Sequence, residues 1–194
     1  MKKLCIGVTG SFCNHPRLEN ILEKLVKKYD ITFVVSDNVQ KTKTRFGTFE
    51  ELSKRLMKYT KNDIVLDLAG SELFGPKNNQ DIMLILPSSA TTINKLEQGI
   101  YDNPVLLAIK ANLRNNLPIV LCIASNDFLG ISGKNLLSLI NRKNIYIVPF
   151  GQDDYINKPN SLVSHFEEIE ETLELSLKGI QKQPILKEYK RSES

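Results

Sequence analysis

Residues 87–92 read PSSATT, which sets the hydroxyls Ser88, Ser89, Thr91 and Thr92 into five consecutive positions directly after an apolar run. One hydroxyl is enough to cap a helix by accepting a backbone N–H. A cluster of this density, ahead of the helical pattern that begins at Ala90, suits an oxyanion held by hydroxyls and by the free N–H groups of a helix N-terminus. Related chemistry follows two other apolar runs, as Thr9-Gly10-Ser11 and as Ser36. The glycines of GVTGS could equally serve a tight turn. The pattern is not the dinucleotide fingerprint, because the third glycine is missing and Ser36 stands where an acidic residue would end the second run. Taken together, the four hydroxyls of residues 88–92 with Ser11 and Ser36 at neighbouring strand ends point to the phosphate of a mononucleotide.

Charged candidates are fewer. Arg45 in TRFG and Lys77 in GPK each stand beside a glycine at a turn, where a charge can be aimed inward. A guanidinium there suits a carboxylate, which it binds through two parallel bonds. Lys110, Arg114 and Lys158 also lie in or near loops and are read as surface cations. Ser125-Asn126-Asp127 and the GQDD run, with Asp153 and Asp154, follow the later apolar stretches. His15 is read as a polar loop residue, and His165 as a structural or exposed residue on a C-terminal helix. Cys5, Cys13 and Cys122 have no metal-ligand spacing and form no even set, which fits a reducing cytosol.

Positioning these groups requires a frame. Nearly continuous Val, Ile and Leu runs mark strands at 4–9, 31–36, 82–87, 119–124 and 145–148, with a weaker one at 63–68. Apolar residues at helical spacing mark helices within 18–29 and 49–59, and at 90–101, 104–115, 135–141 and 161–178. Strand–helix alternation predicts an α/β fold, a single-domain doubly wound parallel sheet. The domain is expected to cover residues 1–182, with 183–194 as a flexible C-terminal tail. In such sheets ligands bind beyond the carboxyl ends of the strands, where most of the residues above fall.

At 194 residues the chain suits one well-cored domain. A net charge of +4, carried by helix faces and by the KEYKRSES tail, comes without aromatic interleaving, so no nucleic-acid partner is expected. The apolar stretches are too short to span a bilayer and the first one suits a buried strand better than a signal peptide, so no membrane is expected and the setting is cytoplasmic.

The segments GVTGS, Ser36 and PSSATTINKLEQGI resemble the flavoprotein family of peptidyl-cysteine and phosphopantothenoylcysteine decarboxylases and prenyl-flavin synthases. That family reads Pro-Ala-Ser-Ala-Asn-Thr where this chain has Pro87 to Thr92, with Thr91 in place of the asparagine. The resemblance implies a Rossmann-like flavoprotein fold and FMN held by Gly10, Ser11, Ser36, Ser89 and Thr92. It also implies a homo-oligomer whose contact surface lies around 94–115. The decarboxylases rely on a histidine before the motif strand, and residues 48–86 contain none.

A narrower resemblance runs along most of the chain. TRFG, GPK, DNPVLLAIKANLRN, SNDFLG, NIYIVPFGQDD and KPNSLV are similar, in order and spacing, to the B subunits of the dipicolinate synthases of spore-forming bacteria. That family implies an oxidoreductase component, active together with an A subunit that carries NAD or NADP, in the mother cell of a sporulating bacterium. It further implies formation of pyridine-2,6-dicarboxylate from a hydroxytetrahydrodipicolinate. Under it, Arg45 and Lys77 would clamp carboxylates, Asn126 would orient the ring, and Asp127, Asp153 or Asp154 would act as base. The alternatives are a non-catalytic flavin-fold partner that stabilises the A subunit, and a stand-alone FMN-dependent decarboxylase.

Overall fold

The computed structural model describes residues 1–77 and 80–189, except the side chain of Lys77. Its elements, in chain order, begin with β1 (Lys2–Val8), α1 (Leu18–Leu25), β2 (Tyr29–Val35), α2 (Asp37–Lys41) and α3 (Phe49–Leu56). Next come α4 (Leu68–Glu72), α5 (Phe74–Lys77), β3 (Ile82–Ser88), α6 (Ala90–Glu97), α7 (Pro104–Arg114) and β4 (Ile119–Ser125). The last are α8 (Gly133–Ile140), β5 (Ile145–Ile147), β6 (Phe150–Gly151), β7 (Leu162–Ser164) and α9 (Ile169–Ser176).

Strands β2, β1, β3, β4 and β5 pair in parallel, in that spatial order. This is the doubly wound α/β order in which the chain reverses direction across the sheet between β1 and β3, opening a ligand crevice there. Helices cover both faces. Leu18, Ile21, Leu22 and Leu25 of α1 pack with α3 and α9 over one face, while α6, α7 and α8 cover the other. The strand interiors are buried on both sides, as their unbroken aliphatic runs require. Gly7 is the close-approach point of β1, because a Cβ there would lie 2.8 Å from both Ile85 and Val105. Local signals fix the helix starts: Thr48 and Glu51 form a capping box for α3, and Asn103 caps α7 with Pro104 at its first turn.

Several expectations change. The stretch expected as one helix over 161–178 opens with β7, whose Leu162 and Val163 pair antiparallel with Ser125 and Ala124 at the end of β4. A 3-10 turn, Phe166–Glu168, then leads into α9. The weak strand at 63–68 contracts to one bridge between Val65 and Val34, after which Asp67 caps α4. The stretch from 183 was expected to trail loosely, yet as far as 189 it is tied to the body. The Phe150 amide donates to the Ile185 carbonyl and the Lys187 amide to the Phe150 carbonyl, each at 2.9 Å, so this segment covers the free edge of β6. Ion pairs from Lys182 and Lys187 to Glu168, and a Tyr189 hydroxyl that donates to the Val163 and Ser164 carbonyls, hold it further. Residues 190–194 of the expected tail lie outside the described residues.

Candidate anion and cofactor site

The crevice is assembled from the loops after β1, β2 and β3. Thr9, 1 % exposed, donates through its hydroxyl to the Pro87 carbonyl at 2.6 Å and accepts the Ser89 amide at 3.1 Å. This stitches the β1 and β3 loops together. Ser89 then caps α6: its Oγ accepts the Thr92 amide at 3.3 Å and lies 3.0 Å from the Thr92 hydroxyl. A one-residue bulge between Ile85 and Ser88, opposite Leu121 and Ile123, gives the strand the extra length that delivers Ser89 to this position.

These loops enclose a cavity of about 100 Å³. Gly10, Ser36, Ser89 and Thr92 line it, as four of the five expected cofactor residues. Ser36 is buried and its hydroxyl has no hydrogen-bond partner among the described residues. A buried hydroxyl without a partner costs stability, and a ligand acceptor would remove that cost. The Ser89–Thr92 pair uses one of its two hydroxyl protons internally and leaves the other free to donate. Asp37 and Asp102 also line the space, and the Asp102 charge is taken by Lys95 at 2.6 Å. The hydroxyl donors at a helix N-terminus and the unsatisfied buried oxygen of Ser36 fit the phosphate of FMN, while Lys95 balances Asp102 and leaves Asp37 at the rim.

Ser11 does not line this cavity. Its backbone is left-handed (φ 64°) and its hydroxyl donates to the Ala124 carbonyl, so it ties the β1 loop to β4. Thr91, Asn38, Lys95 and Asn103 do line it. Lys95 lies in the expected helix at 90–101, and Asn103, which no reading of the sequence singled out, caps α7. His15 is buried, not a polar loop residue. Its Nε2 donates to the Thr9 carbonyl at 3.0 Å, and burial, reinforced by the Arg55 charge, pushes the imidazole below its usual value. His165 precedes α9 and stacks on Tyr189 at 4.0 Å.

The expected clamp is not brought together. Arg45 lies in the loop between α2 and α3, on the carboxyl-end side of β2, exposed, with its guanidinium 4.8 Å from the Phe46 ring. Lys77 ends α5, five residues before β3 begins, and Gly75 packs against Arg114 and Asn115 at the far end of α7. Its backbone is therefore at the amino end of the sheet, opposite the crevice, and its side chain lies outside the described residues. Asn126 is exposed, just past β4. Asp127 accepts the Ser132 hydroxyl, which in turn accepts the Asn94 amide at 2.8 Å, so this carboxylate braces its loop against α6. Asp153 accepts the Ser161 hydroxyl at 2.8 Å. Asp154 is held below the usual carboxylate range by Asn157, whose backbone and side-chain N–H groups donate to it. That makes it a poor base.

The doubly wound sheet, with a hydroxyl-lined cavity at the β1–β3 switch point, agrees with the flavoprotein family, which matches residues 1–177. The chain belongs to that family. It is 40% identical over 188 residues to the dipicolinate synthase B subunit of Bacillus subtilis (strain 168), covering 96% of this chain and 94% of the relative. The crystal structure of the dipicolinate synthase B subunit from Bacillus halodurans C superposes with a TM-score of 0.88 at 40% identity, covering 96% of each chain. A dodecameric FMN-dependent UbiX-like decarboxylase from Escherichia coli O157:H7 shares the fold, with a TM-score of 0.62 at 20% identity over 92% of this chain and 96% of that one. Among the described residues no helix is long and apolar enough to cross a membrane.

Proposed function

We propose that the chain is the B subunit of a dipicolinate synthase, which works with an A subunit to form pyridine-2,6-dicarboxylate during sporulation. The observation that carries this reading is the 40% identity along 96% of the chain to a protein of that name. The precursor, a hydroxylated tetrahydrodipicolinate, must lose one water and two electrons with two protons to become aromatic. FMN, when bound, supplies a two-electron acceptor. A nicotinamide dinucleotide on the A subunit is the other destination for the electrons.

This chain's own residues bind and orient. Ser36 and the Ser89–Thr92 pair donate hydroxyl protons to the phosphate, and the start of α6 adds its amides. Arg45 pairs with a substrate carboxylate on the carboxyl-end side. Asn126 offers an exposed amide to the ring, and the Asp127–Ser132–Asn94 chain holds its loop in place. Several copies of the chain assemble, as in the dodecameric relative of this fold.

Reconstitution tests the reading. The purified chain and its A subunit, supplied with nicotinamide cofactor, precursor and FMN, are expected to form pyridine-2,6-dicarboxylate, with a flavin absorbance band on this chain. No product from the pair overturns it. An unchanged rate when Arg45, Asn126 and Ser36 are replaced would favour the non-catalytic role, for which the engagement of Asp127 by Ser132 is the supporting observation. Activity on a cysteine substrate without a partner would instead indicate a stand-alone decarboxylase.

A further inference from the structure

The cavity at the switch point carries more negative charge than suits a fully ionised phosphate. Asp37 and Asp102 both line it, against the ammonium of Lys95. Lys95 and Asp102 neutralise each other at 2.6 Å, which leaves the Asp37 charge over. Among the described residues Asp37 forms no ion pair, and its carboxylate accepts no hydrogen bond, not even as a cap of α2. It is half-buried, directly after Ser36, in a place that no contact within the fold explains.

The hydrogen-bonding groups around this space are of two kinds. Ser36 and the Ser89–Thr92 pair have hydroxyl protons to donate. An ionised carboxylate can only accept. A fully ionised phosphate monoester also only accepts. It would satisfy the hydroxyls and then meet Asp37 as a like charge, with no proton to place between them. The singly protonated phosphate keeps one P–O–H group. It accepts from the hydroxyls and donates that proton to Asp37, so the repulsion becomes a charge-assisted hydrogen bond.

We propose that Asp37 selects the ionisation state of the bound phosphate, so that the cavity takes FMN as its monoanion and releases it as pH rises. The proposal deepens the FMN reading of this cavity and rests on it. A phosphate monoester loses its second proton at about pH 6, so cofactor retention would change across neutral pH. The other charged groups nearby are engaged elsewhere. Lys95 and Asp102 hold each other, and in α3, packed beside α2, Glu51 accepts the Thr48 amide while Arg55 donates to the His15 carbonyl and pairs with Glu19. His15 itself lies under the Thr9 carbonyl, to which its ring donates.

Quenching of flavin fluorescence tests the assignment, using the full chain and the variants Asp37→Asn and Asp37→Ala from about pH 5 to about pH 9. In the wild type the dissociation constant of FMN should rise about tenfold for each pH unit above about 6, as uptake of one proton with the ligand requires. Both variants should flatten that slope. They should bind FMN about ten- to a hundredfold more tightly than the wild type at about pH 8, and about equally at about pH 5. His15, Lys95 and Asp102 are present in all three chains, so the difference in slope belongs to Asp37. A wild-type affinity that does not change with pH, or equal slopes in wild type and Asp37→Asn, overturns the proposal and leaves the FMN reading standing. Riboflavin bound as tightly as FMN and weakened by Asp37→Asn overturns it too, because a ribityl hydroxyl then takes the carboxylate. Absence of FMN binding by the wild type at every pH overturns the FMN reading along with it.

Discussion

The Thr9 hydroxyl is held between two groups of the β3 loop, donating to the Pro87 carbonyl at 2.6 Å and accepting the Ser89 amide at 3.1 Å. The two strands it connects flank the switch point, so this contact sets the width of the crevice. In Thr9→Val the shape is kept, but a buried carbonyl and the Ser89 amide lose their partner. The expected cost is about 1–3 kcal/mol, read from urea unfolding. Flavin affinity should fall as well, because Ser89 is no longer fixed.

Gly151 is a second point where backbone meets backbone. A Cβ there would collide with the Lys187 carbonyl, which no rotamer change can relieve. Gly151→Ala should therefore lift residues 185–187 off the edge of β6, with a loss of about 1–3 kcal/mol typical of overpacking. Amide exchange at Phe150 and Lys187 should accelerate relative to the parallel strands. Unchanged protection at both would show that the segment is not held by this approach.

Acid should weaken the fold in two windows. His15 is pushed below its ordinary 6.5 chiefly by burial, so the unfolded chain binds the proton more readily. Stability from this group is full above 6.5 and is lost as pH falls from there through the folded value. Glu168 is held below its ordinary 4.5, chiefly by Lys187, and its contribution is present above 4.5 and lost on further acidification through the folded value. Unfolding curves at stepped pH should show a shallower fall below 6.5 in His15→Gln, and a shallower fall below 4.5 in Glu168→Gln.

The parallel strands were legible because burial on both faces demands unbroken aliphatic runs, and Ile82–Leu86 and Ile119–Ala124 have them. The switch-point residues Gly10, Ser36, Ser89 and Thr92 were legible for a related reason: position after a strand fixes the end of the sheet. By the same rule Lys77, which stands just before β3, belongs to the opposite end. The glycine beside it suggested a turn, but Gly75 and Lys77 both lie in α5, and nothing in GPK marks the end of the sheet at which they sit. The antiparallel strand β7 was hidden because Leu162–Ser164 is short and runs into apolar spacing that also suits a helix. The hold on residues 183–189 depends on Glu168, Gly151 and Phe150, all distant in sequence, so no local pattern could reveal it.

Ser36 separates a ligand-binding role from a structural one. Its hydroxyl is buried without a partner among the described residues and faces a cavity shared with Ser89 and Thr92. If the hydroxyl served the fold, Ser36→Ala would destabilise the chain. An unpaired buried hydroxyl instead costs stability, so the alanine variant should be unchanged or more stable by about 0.5–1 kcal/mol without ligand. In the presence of FMN the order should reverse, because a hydrogen bond to a charged phosphate is worth about 1.5–3 kcal/mol. Flavin affinity should then fall about ten- to a hundredfold in Ser36→Ala, measured by quenching of flavin fluorescence. Thermal unfolding with and without FMN checks both halves at once, and a variant that is less stable without ligand and binds flavin as well as the wild type would remove Ser36 from the site.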